Sequence, residues 1–462
     1  MHYISTRGQA PVLDFEAAML SGLARDGGLY VPDHFPQVSP EHIAGMAGLP
    51  YEEIAHRVMW PYLGGAFTEA EFGDLIAKAY AQIAHPARAP LKQLSPGHFL
   101  MELFHGPTLA FKDFAMQLIG QLFQAALARR GERLTIVGAT SGDTGSAAIE
   151  AFRGIDSVDV FILFPEGRVS EVQRRQMTTP IEANVHALAV KGDFDDCQAR
   201  VKDMFNDFAF RDAVHLAGVN SINWARVLAQ VVYYFAAGVA LGAPHRPVSF
   251  TVPTGNFGDV FAGYVARRMG LPIARLVVAT NRNDILHRAL TTGRYLREEV
   301  MPTSSPSMDI QVSSNFERAL FDAYGRDGGA VAQLMDELKR GGGFTVSQGA
   351  LETLRETFGS GRADEGEVAA TIRRVHGQTG ELLCPHSAVG VHVAEAHLGP
   401  VPMVTLATAH PAKFPDAVEA ATGLRPPLPK RMADLYERPE RVTAVPNDLT
   451  ALEDLVTQRR AA

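Results

Sequence analysis

The sequence predicts an α/β protein of two parallel-sheet lobes, preceded by an α-rich N-terminal domain and carrying a helical insertion. Two observations predict this. Runs rich in β-branched residues at 134–138, 158–164, 185–190, 248–252 and 274–279 are mostly separated by stretches with apolar residues at helical spacing. Strands that alternate with helices pair in parallel and are covered on both faces. The pattern also resumes after a long apolar helix near 222–239, which divides it into two lobes.

Taken in order, residues 1–90 form the α-rich domain. A helix from about Glu16 is expected to end at Asp26-Gly-Gly, and two more fill Tyr51–Leu63 and Thr68–Ile83. Thr68 is a candidate N-cap, with Glu69 and Glu71 placed to complement the helix dipole. Residues 91–230 make the first lobe, with a helix over Phe111–Arg130 stopped by Gly131. Residues 231–422 make the second lobe. Its polar, glycine-punctuated stretch 313–376 reads as a helical insertion rather than sheet, and a last strand covers 403–407. The tail 423–462, with Arg425-Pro-Pro-Leu-Pro, is expected to run over the surface.

Composition narrows the function classes. Of 462 residues 46% are apolar and 20% charged, which excludes a long disordered chain. With 43 basic against 51 acidic residues there is no basic surplus for nucleic acid. The longest uncharged run, Val227–Pro244, contains Gln230 and two tyrosines and reads as a buried helix rather than a membrane span. Two cysteines, Cys197 and Cys384, offer no disulfide framework and fit a reducing, cytoplasmic setting.

Two stretches share one design, a strand followed by a glycine- and hydroxyl-rich loop and a helix: Ile136–Ser146 and Phe250–Asp259. Such loops face the ligand crevice of an open parallel sheet, and their backbone N–H groups with the helix dipole suit an anion. Neither has a lysine or the Rossmann glycine spacing, so nucleotide-type P-loops are excluded. Each alone could be an ordinary tight connection; the pair points to two anion sites. Lys112 opens a predicted helix between apolar neighbours. A lysine is usually a solvated charge, but desolvation favours the neutral amine, the form that adds to a carbonyl. His392 and His397 are five apart, the wrong spacing for a metal helix, and Cys384-Pro-His386 lacks cysteine partners.

The segments Phe104-His-Gly-Pro-Thr-Leu-Ala-Phe-Lys-Asp113, Ala139-Thr-Ser-Gly-Asp-Thr-Gly-Ser146, Val219-Asn-Ser-Ile-Asn-Trp-Ala-Arg226, Thr254-Gly-Asn-Phe-Gly-Asp259 and Leu406-Ala-Thr-Ala-His-Pro-Ala-Lys-Phe414 together resemble the threonine synthase family, in its longer bacterial and fungal form. Tyr3–Gly8, Asp26–Pro32 and Cys384–Gly390 resemble it too, with Ser387 where relatives more often have threonine. The resemblance covers nearly the whole chain. It implies the fold type II of pyridoxal-phosphate enzymes, similar to tryptophan synthase β, and the conversion of O-phospho-L-homoserine to L-threonine and phosphate. It further implies that Lys112 holds pyridoxal 5'-phosphate covalently, that Gly255, Asn256, Phe257 and Asp259 hold its phosphate, and that Thr408 meets its pyridine nitrogen. By the same resemblance Ser141, Gly142, Asp143 and Thr144 receive the substrate carboxylate. Arg168, Arg174, Arg226 and Lys413 are candidates for its phosphate. A monomer or homodimer is expected, with neither nucleic acid nor membrane as partner. Two other readings are a serine or threonine dehydratase of the same cofactor class and a non-catalytic protein that keeps the fold. The threonine-synthase motifs at 220–226 and 6–8 weigh against the first, and intact Lys112 with both loops against the second.

Overall fold

The computed structural model describes residues 1–460. Two sheets carry the architecture. One has six strands in the order Phe358–Arg362, Ile273–Thr280, Val248–Pro253, Met403–Ala407, His98–Glu102 and Leu91–Ser95. All neighbours are parallel except the last pair, which is antiparallel. The other has five parallel strands in the order Thr443–Val445, Val185–Val190, Val158–Pro165, Leu134–Ala139 and Leu216–Ala217. The strands expected from their β-branched runs all form, and Val158–Pro165 is buried along its whole length, as a strand covered on both faces must be.

The sheets divide the chain differently from the lobes expected at 91–230 and 231–422. Leu91–Ser95 and His98–Glu102 belong to the six-stranded sheet, where His98–Glu102 pairs in register with Met403–Ala407. The stretch 313–376 is not purely helical: Phe358–Arg362 is the edge strand of that sheet, paired with Leu276–Thr280. Its two glycines hid it, since glycine weakens a strand pattern. The tail also contributes. Thr443–Val445 is the edge strand of the five-stranded sheet, and the helix Leu449–Arg459 buries Leu452 and Val456 in one cluster with Cys197 and Met204.

In the N-terminal region the first helix, Phe15–Ser21, stops at Gly22, earlier than the expected Asp26-Gly-Gly. Asp26 instead organises a turn, accepting hydrogen bonds from Ser5 Oγ and the Gln9, Ala10 and Gly28 N–H groups. Thr68 does cap the helix Glu69–Tyr80 by accepting from the Glu71 N–H.

Helices line the space between the sheets. Lys112–Arg130 ends at Gly131 in the left-handed conformation, as a C-cap glycine does. Trp224–Ala240 is buried on nearly all sides, which is why its sequence is apolar without being a membrane segment. No helix among the described residues is long and apolar enough to cross a membrane. The Tyr233 ring on this helix meets Phe114 on Lys112–Arg130 at 5.9 Å, and its hydroxyl reaches Asp259 at the start of Gly258–Arg268. One core cluster therefore joins the N-terminal region and both lobes.

Candidate active site

Lys112 lies where three chain segments converge. Ahead of it, Asp113 accepts from the Thr108 N–H at 2.9 Å and hydroxyl at 2.7 Å, closing the turn that starts the helix. The Phe111 N–H donates to the Thr408 carbonyl at 2.8 Å, so the loop after the last parallel strand is fixed beside the lysine. Lys112 Nζ then stands 3.5 Å from Asp143 Oδ2 and 3.5 Å from Ser307 Oγ. Burial lowers its pKa from the ordinary lysine value, and Lys413 and Arg226 push the same way while Asp143 opposes them. Both effects favour the neutral, nucleophilic amine.

Asp143 is the hub of this group. Its Oδ1 receives Lys413 Nζ at 2.8 Å and Gln173 Nε2 at 2.9 Å, and its Oδ2 receives Ser307 Oγ at 3.0 Å. Burial alone would raise this carboxyl, but Lys413, Lys112 and His386 hold it well below the usual range. Lys413 is fully buried and also donates to the Thr108 carbonyl at 2.8 Å. The Ser307 N–H donates to His386 Nε2 at 3.3 Å, and burial keeps that imidazole neutral, with its pKa pushed down to about 4.

The rest of the first glycine loop is built to hold Asp143 in place. Gly142 has φ 134°, and a Cβ there would lie 2.3 Å from the Gln173 side chain, so glycine is required on both counts. Thr140 Oγ1 accepts from the Gly142 and Gly145 N–H groups at 2.9 Å each. Ser141 and Thr144 flank this hub.

The second loop is different in kind. Its carbonyls are turned into the segment 313–315: Ser313 Oγ donates to the Gly255 carbonyl at 2.7 Å, and the Asn315 N–H and side chain both donate to the Asn256 carbonyl at 3.0 Å. Phe257 takes the left-handed conformation with φ 64° and buries its ring against Phe316 and Phe358. Asp259, expected among the phosphate-holding residues, points its carboxylate elsewhere. Oδ1 accepts from the Tyr233 hydroxyl at 2.5 Å and the Tyr234 hydroxyl at 3.0 Å, and burial pushes its pKa up to about 7. Only its backbone is left to face an anion.

Of the four cations considered for a substrate phosphate, Arg174 pairs with Glu440 and Arg168 is exposed. Lys413 is committed to Asp143. Arg226 is buried, donates from Nη1 to the Val219 carbonyl at 3.1 Å, and has no carboxylate partner among the described residues. Its Nε is one of the buried polar atoms without a protein partner, and desolvation lowers its pKa to about 10. Ser307 and Gln173 carry no recognisable signal in sequence, because what assembles them is contact across the crevice; His386 lies in the family-like segment Cys384–Gly390, which does not by itself show that it meets Ser307. His392 and His397 form no metal cluster among the described residues.

Three family models match in succession: "Threonine synthase N terminus" over residues 2–80, "Pyridoxal-phosphate dependent enzyme" over 85–337, and "Threonine synthase, C-terminal" over 387–456. A threonine synthase of Pseudomonas aeruginosa is 55% identical over 461 residues, 99% of this chain and 98% of the relative. The chain belongs to the threonine synthase family. Among solved structures, the crystal structure of pyridoxal-phosphate-bound threonine synthase from Brucella melitensis matches with TM-score 0.98 and 58% identity, covering 100% of both chains. That of yeast threonine synthase matches with TM-score 0.93 and 38% identity, covering 99% of this chain and 98% of the other. The enzyme is thus a pyridoxal-phosphate-dependent lyase that acts on a small molecule. The residues present suit the cofactor: a partly buried lysine whose desolvated amine is biased toward its neutral form, and a loop whose Gly255 would carry a Cβ only 2.8 Å from the Ser307 carbonyl.

Proposed function

We propose that the enzyme converts O-phospho-L-homoserine and water to L-threonine and phosphate, with Lys112 as the residue that binds pyridoxal 5'-phosphate and moves protons. The observation that carries this reading is the Lys112 amine, desolvated and held beside a single carboxylate, Asp143. The cofactor when bound supplies an electron sink for the carbanion that α-proton removal leaves behind.

Gly255, Asn256, Phe257 and Asp259 hold the cofactor phosphate through their backbone, at the N-terminus of the helix Gly258–Arg268. Thr408, fixed beside Phe111, offers a neutral hydroxyl to the pyridine nitrogen. Ser141, Gly142, Asp143 and Thr144 face the substrate carboxylate, with Asp143 neutralised by Lys413 so that its charge does not repel the ligand. Arg226 takes the substrate phosphate, since of the four candidate cations it alone is buried with no carboxylate partner among the described residues, and its Nε is left unpaired. Lys112 withdraws the α-proton and carries protons to and from the β-carbon, while phosphate leaves the γ-carbon and water adds at the β-carbon.

The enzyme is a monomer or homodimer on this reading. Two free, buried cysteines support a cytoplasmic setting. The purified enzyme with pyridoxal phosphate and O-phospho-L-homoserine is expected to release threonine and phosphate in equal amounts. Release of 2-oxobutanoate with little threonine would defeat the assignment in favour of a phospho-lyase.

A further inference from the structure

The segment Ser313–Arg318, Ser-Ser-Asn-Phe-Glu-Arg, touches three separate parts of the molecule. Toward the second glycine loop, it accepts none of that loop's N–H groups in the bonds that join them; it binds the loop's carbonyls. Ser313 Oγ reaches the Gly255 carbonyl at 2.7 Å, and the Asn315 side chain and N–H each reach the Asn256 carbonyl at 3.0 Å. A trans peptide is planar, with its N–H opposite its C=O. Anchoring those two carbonyls therefore turns the N–H groups of Asn256 and Phe257 the other way, the orientation an anion cradle needs.

Asn315 is itself held from behind. Its Oδ1 accepts from Arg318 Nη1, and its Nδ2 also donates to the Ser221 carbonyl at 3.1 Å. Arg318 is fully buried without a carboxylate of its own; it donates to the Tyr30 carbonyl at 2.8 and 3.1 Å and to the Ile222 carbonyl at 2.6 Å. Glu317 next to it accepts from the Thr6 hydroxyl at 2.6 Å and from Arg7 at 3.0 and 3.1 Å. Thr6 Oγ1 in turn accepts from the Leu29 N–H at 2.8 Å. A chain of polar contacts thus runs from the Tyr30 carbonyl through Arg318 and Asn315 to the second glycine loop, and Glu317 ties the same short segment to Thr6 and Arg7.

We propose that Asn315 is a positioning residue for the phosphate-binding loop, and that Glu317 and Arg318 anchor it to Thr6, Arg7 and Tyr30, so that the N-terminal domain sets how tightly the enzyme holds the phosphate end of its cofactor. This rests on the reading of Gly255–Asp259 as the phosphate loop. It gives the N-terminal domain, which contributes no side chain to the group around Lys112, a defined task. It also makes the start of the supposed helical insertion part of the site's support.

The test compares two probes that differ only in the phosphate: pyridoxal phosphate and pyridoxal, each titrated into the cofactor-stripped enzyme by absorbance and tryptophan fluorescence. Asn315→Asp keeps an acceptor for Arg318 but removes the donor to the Asn256 carbonyl. It is expected to raise the dissociation constant of pyridoxal phosphate about tenfold and leave that of pyridoxal unchanged. Glu317→Gln, which weakens the tie of the same segment to Thr6 and Arg7, is expected to do the same about threefold, and supplies the answer if Asn315→Asp does not fold. Equal weakening of both probes would mean general loosening of the fold and would overturn the proposal, as would no change in either variant. Gly255→Ala, in the loop itself, separates the positioning role of Asn315 from the phosphate-binding role of the loop. If it weakens pyridoxal phosphate selectively while Asn315→Asp does not, only the positioning role fails. If Gly255→Ala has no phosphate-selective effect, the phosphate-loop reading itself fails.

Discussion

The two glycine loops look alike in sequence and behave oppositely in the structure. Both follow a parallel strand, open a helix, lack lysine and arginine, and contain one aspartate. In the first, Asp143 points into the crevice and is surrounded by Lys413, Lys112, Gln173 and Ser307. In the second, Asp259 points into the protein at Tyr233 and Tyr234, and the loop offers its backbone. One loop therefore makes a charged hub around the reactive amine, and the other a neutral cradle. A carboxylate can serve near an anion site only if a cation neutralises it or if it is turned away. On the proposed reading of the two loops, each solution is used once.

The largest effect should come from removing the amine that the hub surrounds. Lys112→Ala is expected to lower kcat by about 10³-fold or more and to abolish the yellow, borohydride-sensitive chromophore. Activity assays and absorbance spectra check both. Next in size is the partner that only the first loop has. Lys413→Met leaves Asp143 buried with Lys112 as its remaining ion pair, and should cost about 3–5 kcal/mol of stability, read by urea denaturation. A cost below about 1 kcal/mol would mean that the hub is not desolvated and that the contrast with the second loop is overstated.

The comparison also predicts opposite pH behaviour. Asp143 raises the Lys112 pKa against burial and the neighbouring cations, so removing its charge lets that pKa fall further below the ordinary lysine value. The neutral amine is the reactive form. For Asp143→Asn the rate of pyridoxal-phosphate attachment should therefore rise to its plateau at lower pH than in the wild type. Stopped-flow absorbance across pH measures it. Asp259 has a folded pKa raised from 3.8 to about 7, so the native state binds more protons than the unfolded chain between those values. Its contribution to stability is fully present below about pH 4 and is lost as pH rises through about 7. Asp259→Asn should flatten that part of the unfolding profile, a difference absent if the carboxylate instead faces solvent or a cation. The smallest effect should be Tyr234→Phe, which leaves the shorter Tyr233 bond in place and should cost about 1 kcal/mol in the same denaturation assay.

Much of this was readable in the sequence because it is local. β-branched runs mark the strands, while the apolar residues around Lys112 make it a candidate that the family-like segment 104–113 singles out. The two loops were visible from their glycines and hydroxyls. What was not readable depends on partners distant in the chain. Lys413 stands 270 residues from Asp143, and no local pattern says that they meet. Ser307 sits in a serine- and proline-rich stretch that looks like an ordinary loop until its hydroxyl is seen beside Lys112. The edge strand Phe358–Arg362 contains two glycines and gains its conformation from pairing with Leu276–Thr280. The family resemblance places Asp259 in the phosphate loop, but which way its side chain points is decided by Tyr233 and Tyr234 on another helix.

Two lysines flank Asp143, the fully buried Lys413 and the partly buried Lys112, and only Lys112 is proposed to carry the chemistry. Reduction of the yellow enzyme with borohydride, followed by proteolysis and mass spectrometry, identifies the lysine that holds the cofactor. The phosphopyridoxyl group is expected on Lys112 alone, with Lys413 unmodified in its pair with Asp143. Label on Lys413, or spread over surface lysines, would contradict the division of roles around Asp143.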